Sequence, residues 1–198
     1  MKITALKQQV KNPQRVSVFV DGKYSFSLSL DEILAEKLKT DLQIDEPRLK
    51  KLKRISEDGK LRARALEWLI NRPHSTRELR DHLRRKKVGS ELADKLVSEF
   101  TAKKYLNDSA YAKWLCELRG RAGKSNRAIR SELFAKGVSR EVIDEVLSES
   151  SDETQRLKIL ITKKQKQPRY KNDELKLKQY LVRQGFSYQM VNNILKNT

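Results

Sequence analysis

Clusters of arginine and lysine are the side chains with the clearest chemical capacity in this sequence. Guanidinium groups make forked hydrogen bonds to phosphates and carboxylates, and ammonium groups add positive charge beside them. The candidate contact residues in these clusters are Arg77, Arg80, Arg84, Arg85, Arg119, Arg121, Lys124, Arg127, Arg130, Lys163, Lys164 and Arg169. They predict a surface that binds a polyanion or an acidic protein. Two arrangements stay open: one stripe shared by the clusters, or three separately solvated faces.

A phosphate-binding loop is the first catalytic motif to test. Gly123-Lys124-Ser125 has the composition of the end of such a loop, but that motif needs a glycine where Leu118 stands. It also needs a preceding strand, whereas residues 108–119 have a helical pattern. We therefore interpret Ser125 as a helix cap and exclude a nucleotide-binding loop.

Histidine and cysteine offer no catalytic or metal-binding constellation either. His74 and His82 have no cysteine or carboxylate at a recognisable ligand spacing, and both are interpreted as ordinary surface residues. Cys116 lies in a helical pattern without a paired histidine, so we predict a half-buried packing residue. The sequence thus predicts no catalytic residue, no cofactor and no metal site, and the chain is not expected to be an enzyme.

Aromatic side chains provide an alternative way to bind nucleic acid, because a base stacks on an aromatic ring. Most of them share helix faces with leucine and isoleucine, which favours packing in the core. The residues to which this prediction applies are Trp68, Tyr111, Trp114, Phe134, Tyr180 and Phe186.

The elements that position these residues follow from a pattern that occurs three times. Leu83, Leu133 and Leu181 are 50 and 48 residues apart. Each is followed four residues later by lysine or glycine and then by a short amphipathic run. Such a period predicts a tandem array of three three-helix repeats, elongated and curved, whose units bury their faces on one another. The predicted repeats cover residues 60–107, 108–150 and 151–198.

Capping residues mark several helix starts within the repeats. Asn107, Ser125 and Ser139 each precede a helical pattern, and Ser75 has Glu78 at the spacing of a capping box. Gly137 follows a helical run and is expected at the position after its C-cap. In repeat 3 we expect a helix near 152–166, a break at Pro168, and a further helix near 172–184.

Residues 1–59 predict a small β-hairpin and helix region. Apolar residues alternate on both sides of Asp21-Gly22, a dipeptide typical of a two-residue hairpin turn. Residues 3–10 are expected to add a third strand, separated by a turn at Asn12-Pro13. Asp31 is expected to cap a helix that runs to about Lys39, and a second helix follows Pro47. Residues 56–59 either form the junction to the array or lie within a continuous helix.

Composition limits the class of partner. The net charge is +18 at pH 7, with 44 lysines and arginines against 26 acidic residues, spread along the whole chain. This field favours nucleic acid or an acidic protein as partner. The single cysteine fits a reducing compartment, and the sequence shows neither a membrane-span pattern nor a signal-peptide core. We therefore expect a cytoplasmic protein without a membrane partner.

The residues that carry a family resemblance lie in repeats 1 and 2. Repeat 2 contains Leu106-Asn107-Asp108, Tyr111-Ala112, Trp114, Arg119, Gly123, Ile129, Glu132-Leu133 and Lys136-Gly137-Val138, and repeat 1 contains Arg72-Pro73, Ser75 and Glu78-Leu79. Together they resemble the signature of the RecX family, whose members regulate the RecA recombinase. The resemblance covers about residues 60–198. One departure is Lys87, which stands where the family has glycine.

The resemblance implies a negative modulator that binds along the groove of a RecA filament on single-stranded DNA. Such a protein inhibits ATP hydrolysis, strand exchange and filament extension. The implied partners are the RecA filament, single-stranded DNA and, non-specifically, double-stranded DNA, and the chain is expected to be a monomer. Two other classes stay open: a tandem helix-turn-helix-like protein that acts on duplex DNA, and a structural adaptor without regulatory effect.

Overall fold

The computed structural model describes residues 1–150 and 152–196. Ser151, where repeat 3 is predicted to begin, and Asn197 and Thr198 lie outside the described residues. The chain divides into two compact units, Met1–Trp68 and Leu69–Thr198. The described residues are mainly helical, with a small antiparallel sheet at the N-terminus, which confirms the predicted fold class.

The first unit begins with a three-stranded sheet. Its strands are β1 (Ile3–Gln9), β2 (Asn12–Val20) and β3 (Lys23–Ser29), in the order β1-β2-β3. The Asp21-Gly22 hairpin is confirmed, since both residues take positive φ values, 48° and 80°. The turn predicted at Asn12-Pro13 is wrong: both residues belong to β2, and the chain turns one step earlier, at Val10-Lys11.

Alternation along the strands gives the sheet one apolar face. Val16, Val18 and Val20 are at most 8% exposed, and they form a core with Ile3, Phe26, Leu28 and residues of the helices that follow. The first helix is α1 (Leu30–Ala35), and its N-cap is Ser29 rather than the predicted Asp31. Ser29 and Glu32 form a reciprocal capping box, which starts the helix earlier than the apolar spacing indicated.

A long helix, α2 (Glu46–Ile70), follows. It passes without interruption through residues 56–59, so the continuous-helix alternative is the correct one. The predicted division between residues 59 and 60 therefore falls inside α2, and the boundary between the compact units lies in its last turn. Ser56 is buried, and its hydroxyl donates to the carbonyl of Ser27 at 2.6 Å, which fixes α2 to the sheet.

The second unit consists of the remaining helices of the array. They are α3 (Thr76–Arg85) and α4 (Ser90–Ala102) in repeat 1; α5 (Asp108–Arg121), α6 (Asn126–Ala135) and α7 (Arg140–Glu149) in repeat 2; and α8 (Glu153–Gln165), α9 (Pro168–Lys171), α10 (Glu174–Arg183) and α11 (Tyr188–Lys196) in repeat 3. The predicted N-caps at Ser75, Asn107, Ser125 and Ser139 are all confirmed. Repeats 2 and 3 each have a core cluster of their own.

Two joints connect the repeats, and both use the N-terminus of a middle helix. At the first joint, Ser75 Oγ donates to the carbonyl of Lys136 at 2.8 Å, and the backbone N–H of Thr76 donates to Asp108 at 2.7 Å. The first turn of α3 thus contacts the end of α6 and the start of α5. A helix start has backbone donors without partners inside the helix, and the next repeat supplies acceptors for them.

The second joint repeats this geometry one unit later. The N–H of Ser125 donates to the carbonyl of Gln184 at 3.1 Å, and the N–H of Asn126 donates to Glu153 at 2.7 Å. The start of α6 thereby contacts the end of α10 and the start of α8. The repeats in sequence are therefore also repeats of one packing arrangement.

Close approach at the joints explains the glycines that end the middle helices. Gly137 and Gly185 have φ values of 78° and 100°. A Cβ on Gly137 would lie 2.9 Å from Arg77 Cβ, and one on Gly185 would lie 2.8 Å from Ala128 Cβ. Lys87, the equivalent residue of repeat 1, also takes a positive φ, 57°. Repeat 1 begins the array, so no earlier repeat packs on this residue.

Gly185→Ala is therefore expected to destabilise the array by about 2 kcal/mol, because it adds left-handed strain to an overlap with the preceding repeat. Urea denaturation followed by circular dichroism measures the change. Lys87→Gly is the control at the equivalent position and should shift stability by less than about 1 kcal/mol. Equal stability of the wild-type and Gly185→Ala proteins would contradict the joint described above.

Candidate functional site

The predicted contact residues of repeat 1 all lie on the surface of α3. They are Arg77, Arg80, Arg84 and Arg85. Arg80 pairs with Asp94 of α4 at 2.5 Å, and Arg84 pairs with Asp81 at 2.7 Å. These pairs are exposed, so each contributes little to stability and can be exchanged for an external anion. Arg77 packs its aliphatic part against Gly137 at the first joint.

Some of the predicted cations of repeat 2 hold the fold together, and others are exposed and can bind a partner. Arg119 makes two hydrogen bonds to Glu132, at 2.6 and 2.8 Å, and this pairing raises the pKa of the guanidinium. That geometry ties α5 to α6, so Arg119 is committed to the fold. Arg127 is exposed on α6, and among the residues that the structure describes no carboxylate lies within ion-pair distance of it.

The repeat 2 cluster has three further candidate residues, which are held less firmly than Arg119. Arg121 pairs with Glu117 along α5, and Arg130 pairs with Asp144 of α7. Both pairs are largely exposed. Lys124 lies half-buried in the turn between α5 and α6.

The repeat 3 cluster lies ahead of its middle helix. Lys163 and Lys164 occupy the last turn of α8, and Arg169 lies on the short helix α9. The Lys164 ammonium stands 4.8 Å from the centroid of the Tyr180 ring, and the Arg169 guanidinium lies 5.6 Å from that of Tyr170. Cation–π contacts of this kind hold the charges in place at the surface.

A groove of about 780 Å³ between repeats 2 and 3 brings Arg121 of the repeat 2 cluster together with Lys163 and Lys164 of the repeat 3 cluster. The other predicted cations of these two clusters do not line it. We call it the basic groove. Its charged lining consists of five cations and two carboxylates: Lys113, Arg121, Arg156, Lys163, Lys164, Glu117 and Glu149. The two carboxylates already pair with Arg121 and Lys113. The cations in excess give the groove a positive field suited to an anionic ligand.

Arg156 extends this field into the interior of the groove. One end of its guanidinium donates to Asn126 across the second joint, while its Nε is buried without a hydrogen-bond partner among the described residues. Apolar residues, including Val146 and Leu160, line the groove beside the charges. The groove therefore combines cationic donors with apolar contact area. The repeat 1 arginines do not line it.

The first joint contains a buried charged cluster that sequence analysis missed. His74 is 5% exposed, so its assignment to the surface is wrong. Its Nδ1 lies 3.2 Å from the Glu78 carboxylate, which also contacts Arg72 at 3.1 Å and Lys136 at 2.9 Å. Burial alone would raise the pKa of Glu78, but the hydrogen bonds from Lys136 and Arg72 outweigh burial and lower it from 4.5 to about 2.

Serine, histidine and a carboxylate thus lie together in this cluster, as in a hydrolase, but their hydrogen bonds are structural. Ser75 is 0% exposed; its hydroxyl caps α3 and donates to the carbonyl of Lys136. A buried hydroxyl engaged in this way has no route to a substrate. Within residues 1–150 and 152–196, no group of three or more histidine, cysteine or acidic side chains is placed to bind a metal ion.

Two interpretations of single residues are confirmed. Ser125 is 1% exposed and accepts from the N–H of Ala128, so it is a helix cap and not part of a phosphate-binding loop. Cys116 is a packing residue of the repeat 2 core, as predicted, but it is buried, at 5% exposed, rather than half-buried, and burial raises the pKa of its thiol.

The aromatic residues follow the core prediction with one exception. Tyr111 and Phe186 are 1% exposed, and Trp68, Trp114 and Tyr180 are half-buried. The Arg72 guanidinium lies over the Trp114 ring, 5.0 Å from its centroid. For Phe134 the core prediction is wrong, because its side chain is 69% exposed at the end of α6.

Fold and surface together define a basic helical-repeat protein with a small N-terminal sheet. In the part of the chain that the structure describes, no helix is both long and apolar enough to cross a membrane. Family models match residues 1–45 as the regulatory protein RecX N-terminal domain, 62–100 as the first three-helix domain of RecX, and 107–147 as the second. The chain belongs to the RecX family.

Individual relatives agree with this assignment. The chain is 31% identical to the regulatory protein RecX of Bacillus licheniformis, over 99% of its length and 77% of that protein. It is 30% identical to the regulatory protein RecX of Bacillus subtilis, over 96% and 74%. The match to the Listeria monocytogenes protein, at 31% identity, covers 78% of this chain and 58% of that protein.

Solved structures show the same fold. A crystal structure of regulatory protein RecX superposes with a TM-score of 0.76 at 22% identity, covering 100% of this chain and 99% of the other. The crystal structure of RecX from Lactobacillus salivarius gives a TM-score of 0.60 at 22% identity, over 71% and 95%.

Glu78→Gln is expected to lower stability at neutral pH by about 2 kcal/mol, because it leaves Arg72 and Lys136 facing a neutral amide. The folded-state pKa of about 2 lies below the ordinary 4.5, so the carboxylate contribution is complete above pH 4.5 and is lost as the pH falls toward 2. The difference between wild-type and variant should therefore shrink across that window. Urea denaturation at stepped pH measures it.

Glu117→Gln is the matched control, since this carboxylate is 68% exposed and pairs only along its own helix surface. Its effect should stay within about 0.5 kcal/mol, with no change in that pH window. A constant difference between wild-type and Glu78→Gln down to pH 2 would show that Glu78 is not held ionised at the joint.

Proposed function

We propose that the chain is a negative modulator of the RecA recombinase that binds along the groove of RecA filaments on single-stranded DNA. Its effect is to inhibit ATP hydrolysis, strand exchange and filament extension. The observation that carries the proposal is the basic groove, found between two repeats of a chain that belongs to the RecX family.

The joints supply a physical basis for recognition of a filament. They fix the cations of repeat 2 relative to those of repeat 3, because hydrogen bonds from Ser125 and Asn126 tie the two repeats together. A ligand that spans the groove contacts both repeats at once, so its affinity depends on the spacing of its own anionic groups. A nucleoprotein filament presents carboxylates and phosphates at a regular spacing. Such a surface fits the groove better than a single compact anion does.

Charge on the third helices of repeats 1 and 2 argues against the duplex-reading alternative. In helix-turn-helix proteins the last helix of the unit enters the major groove. Here α4 carries three acidic residues and one lysine, and α7 carries four acidic residues and one arginine. The net negative charge of each helix opposes its insertion into a DNA groove lined by phosphates, whereas the clusters of basic residues lie on α3, α6 and the end of α8. We therefore place duplex binding second, as non-specific contact with backbone phosphates.

The experiment that tests the proposal measures ATP hydrolysis by preassembled RecA filaments on single-stranded DNA while this protein is titrated, with DNA in excess. A fall in hydrolysis at well below one protein per RecA indicates end-capping or disassembly. Inhibition only near saturating amounts indicates blockade along the groove. Unchanged hydrolysis, together with sequence-dependent duplex binding, would favour the helix-turn-helix alternative.

Neutralising the basic groove should weaken inhibition without unfolding the protein. For the double variant Arg121→Ala/Lys163→Ala we expect about tenfold more protein at half-maximal inhibition, since two cations of the groove are lost. Both side chains are exposed, so the free energy of unfolding should change by less than about 0.5 kcal/mol.

The matched control is Lys50→Ala/Lys53→Ala, which removes the same charge from the exposed surface of α2. It should inhibit like the wild-type protein. If both double variants lose inhibition equally, total charge and not the basic groove determines filament binding.

A further inference from the structure

The exposed face of α6 is unlike that of the other middle helices. Ile129 and Leu133 are 0% exposed and hold α6 in the repeat 2 core. On the opposite face, the three- and four-residue spacing brings Arg127, Arg130 and Phe134 onto one side of the helix. An aromatic ring thus lies at the end of a row of arginines. Repeat 1 has Arg84 at the position equivalent to Phe134, and repeat 3 has Val182.

Exposure of Phe134 contrasts with the other phenylalanines of the chain. Phe26, Phe100 and Phe186 are at most 3% exposed, and Phe19 is half-buried beneath Lys7. Phe134 is 69% exposed, although its backbone is fixed by the helix end: its carbonyl accepts from the N–H of Gly137 at 3.0 Å. A ring on a rigid backbone, with only two side-chain torsions, loses little entropy when it binds a partner.

A depression of about 470 Å³ lies beside this ring, between α6 and α7. We call it the Phe134 pocket. Its lining consists of Phe134, Ile143, Ser131, Arg130 and Arg140. Phe134 supplies exposed apolar surface beside the buried Ile143, and the two arginines supply cationic donors. The Ser131 hydroxyl donates to the carbonyl of Arg127, and its oxygen can still accept a hydrogen bond. A flat ring with polar edges therefore fits this combination.

Charge at the Phe134 pocket stays positive after its ion pairs are formed. Asp144 is the carboxylate that pairs with Arg130, and it also lies 3.7 Å from Arg140. One carboxylate is thus shared by two guanidiniums, each of which has five N–H donors. Arg127, one helical turn away, is exposed and adds a further positive charge. Donors remain for phosphate groups on this side of the ring.

We infer that Phe134 is a stacking platform for one unpaired base of single-stranded nucleic acid, whose phosphates contact Arg127, Arg130 and Arg140. An aromatic face in a cationic groove is the arrangement that binds single strands without sequence preference. A duplex does not offer the face of a base to such a ring, since its bases are stacked on one another. This inference rests on the proposed function for its setting, single-stranded DNA within a filament, but the contact itself is formed by this chain alone.

The experiment measures binding of the whole 198-residue chain to fluorescently labelled oligodeoxythymidine and to an abasic strand of the same length, without RecA. The abasic strand keeps the phosphates and removes the bases. Phe134→Ala should weaken binding to oligodeoxythymidine by about tenfold, the typical loss when one base loses its stacking partner. It should leave binding to the abasic strand unchanged. The salt dependence should also be unchanged, because stacking releases no counterions.

Three further variants isolate the aromatic face. Phe134→Trp should bind oligodeoxythymidine at least as well as the wild-type protein, because the larger ring still stacks. Phe134→Leu keeps apolar area without a ring and should behave like Phe134→Ala. Tyr188→Ala removes another exposed aromatic, 62% exposed on α11, and should bind like the wild-type protein. Thermal unfolding of each variant shows that the fold is retained, which is expected because the two side chains are exposed.

Several outcomes would overturn the stacking site. These are unchanged binding by Phe134→Ala, an equal loss on the abasic strand, or wild-type binding by Phe134→Leu. If Phe134→Ala binds DNA normally but inhibits RecA less, the Phe134 pocket contacts protein instead.

The RecA assay and the DNA-binding assay together distinguish failure of the stacking site from failure of the proposed function. Wild-type protein that stacks on oligodeoxythymidine without affecting RecA would refute the function alone, and inhibition without base-dependent binding would refute the stacking site alone.

Discussion

Backbone donors at the start of a helix have no partners within that helix, and the array is built around this constraint. The N–H of Thr76 finds its acceptor in Asp108, and the N–H of Asn126 finds its acceptor in Glu153. In both cases the acceptor lies at the start of the next repeat. The first turns of α3 and α6 are therefore completed only when the following repeat is in place. The positions of the surface cations depend on these joints, because the basic groove has one wall on each side of the second joint.

The fold was largely predictable because its signals are local. The helix caps and the Asp21-Gly22 turn lie within a few residues of the structure they determine, and the period repeats one local helical pattern three times. The joints were not predictable, since Ser75 and Lys136 are separated by 61 residues and nothing near Ser75 indicates its partner. The sequence prediction starts α1 too late, since it uses Asp31 as the N-cap, whereas Ser29 and Glu32 form the capping box that begins the helix. Side-chain capping there outweighed the apolar spacing.

Sequence identified the basic clusters but not the use of each cation. Arg119 and Arg127 are indistinguishable as sequence, yet Arg119 is held by Glu132, 13 residues away on another helix, whereas Arg127 is exposed. That distinction depends on how α5 packs against α6. The burial of His74 was unpredictable for the same reason, because its partner Glu78 is paired with Lys136 of the next repeat. Ion pairs between different helices therefore determine which charged side chains can still bind a partner.

Charge is also divided between helices within single repeats, which a net charge of +18 conceals. In repeat 2, α6 carries two arginines against one glutamate, while α7 carries four acidic residues against one arginine. A polyanion is therefore attracted to one side of the repeat and repelled from another, so the field orients it as well as binding it. Phe134 lies at the end of α6, beside Arg130 and beside Arg140, the single arginine of α7. Orientation by charge would bring a flexible strand along α6 toward the ring, where a short-range contact such as stacking takes effect.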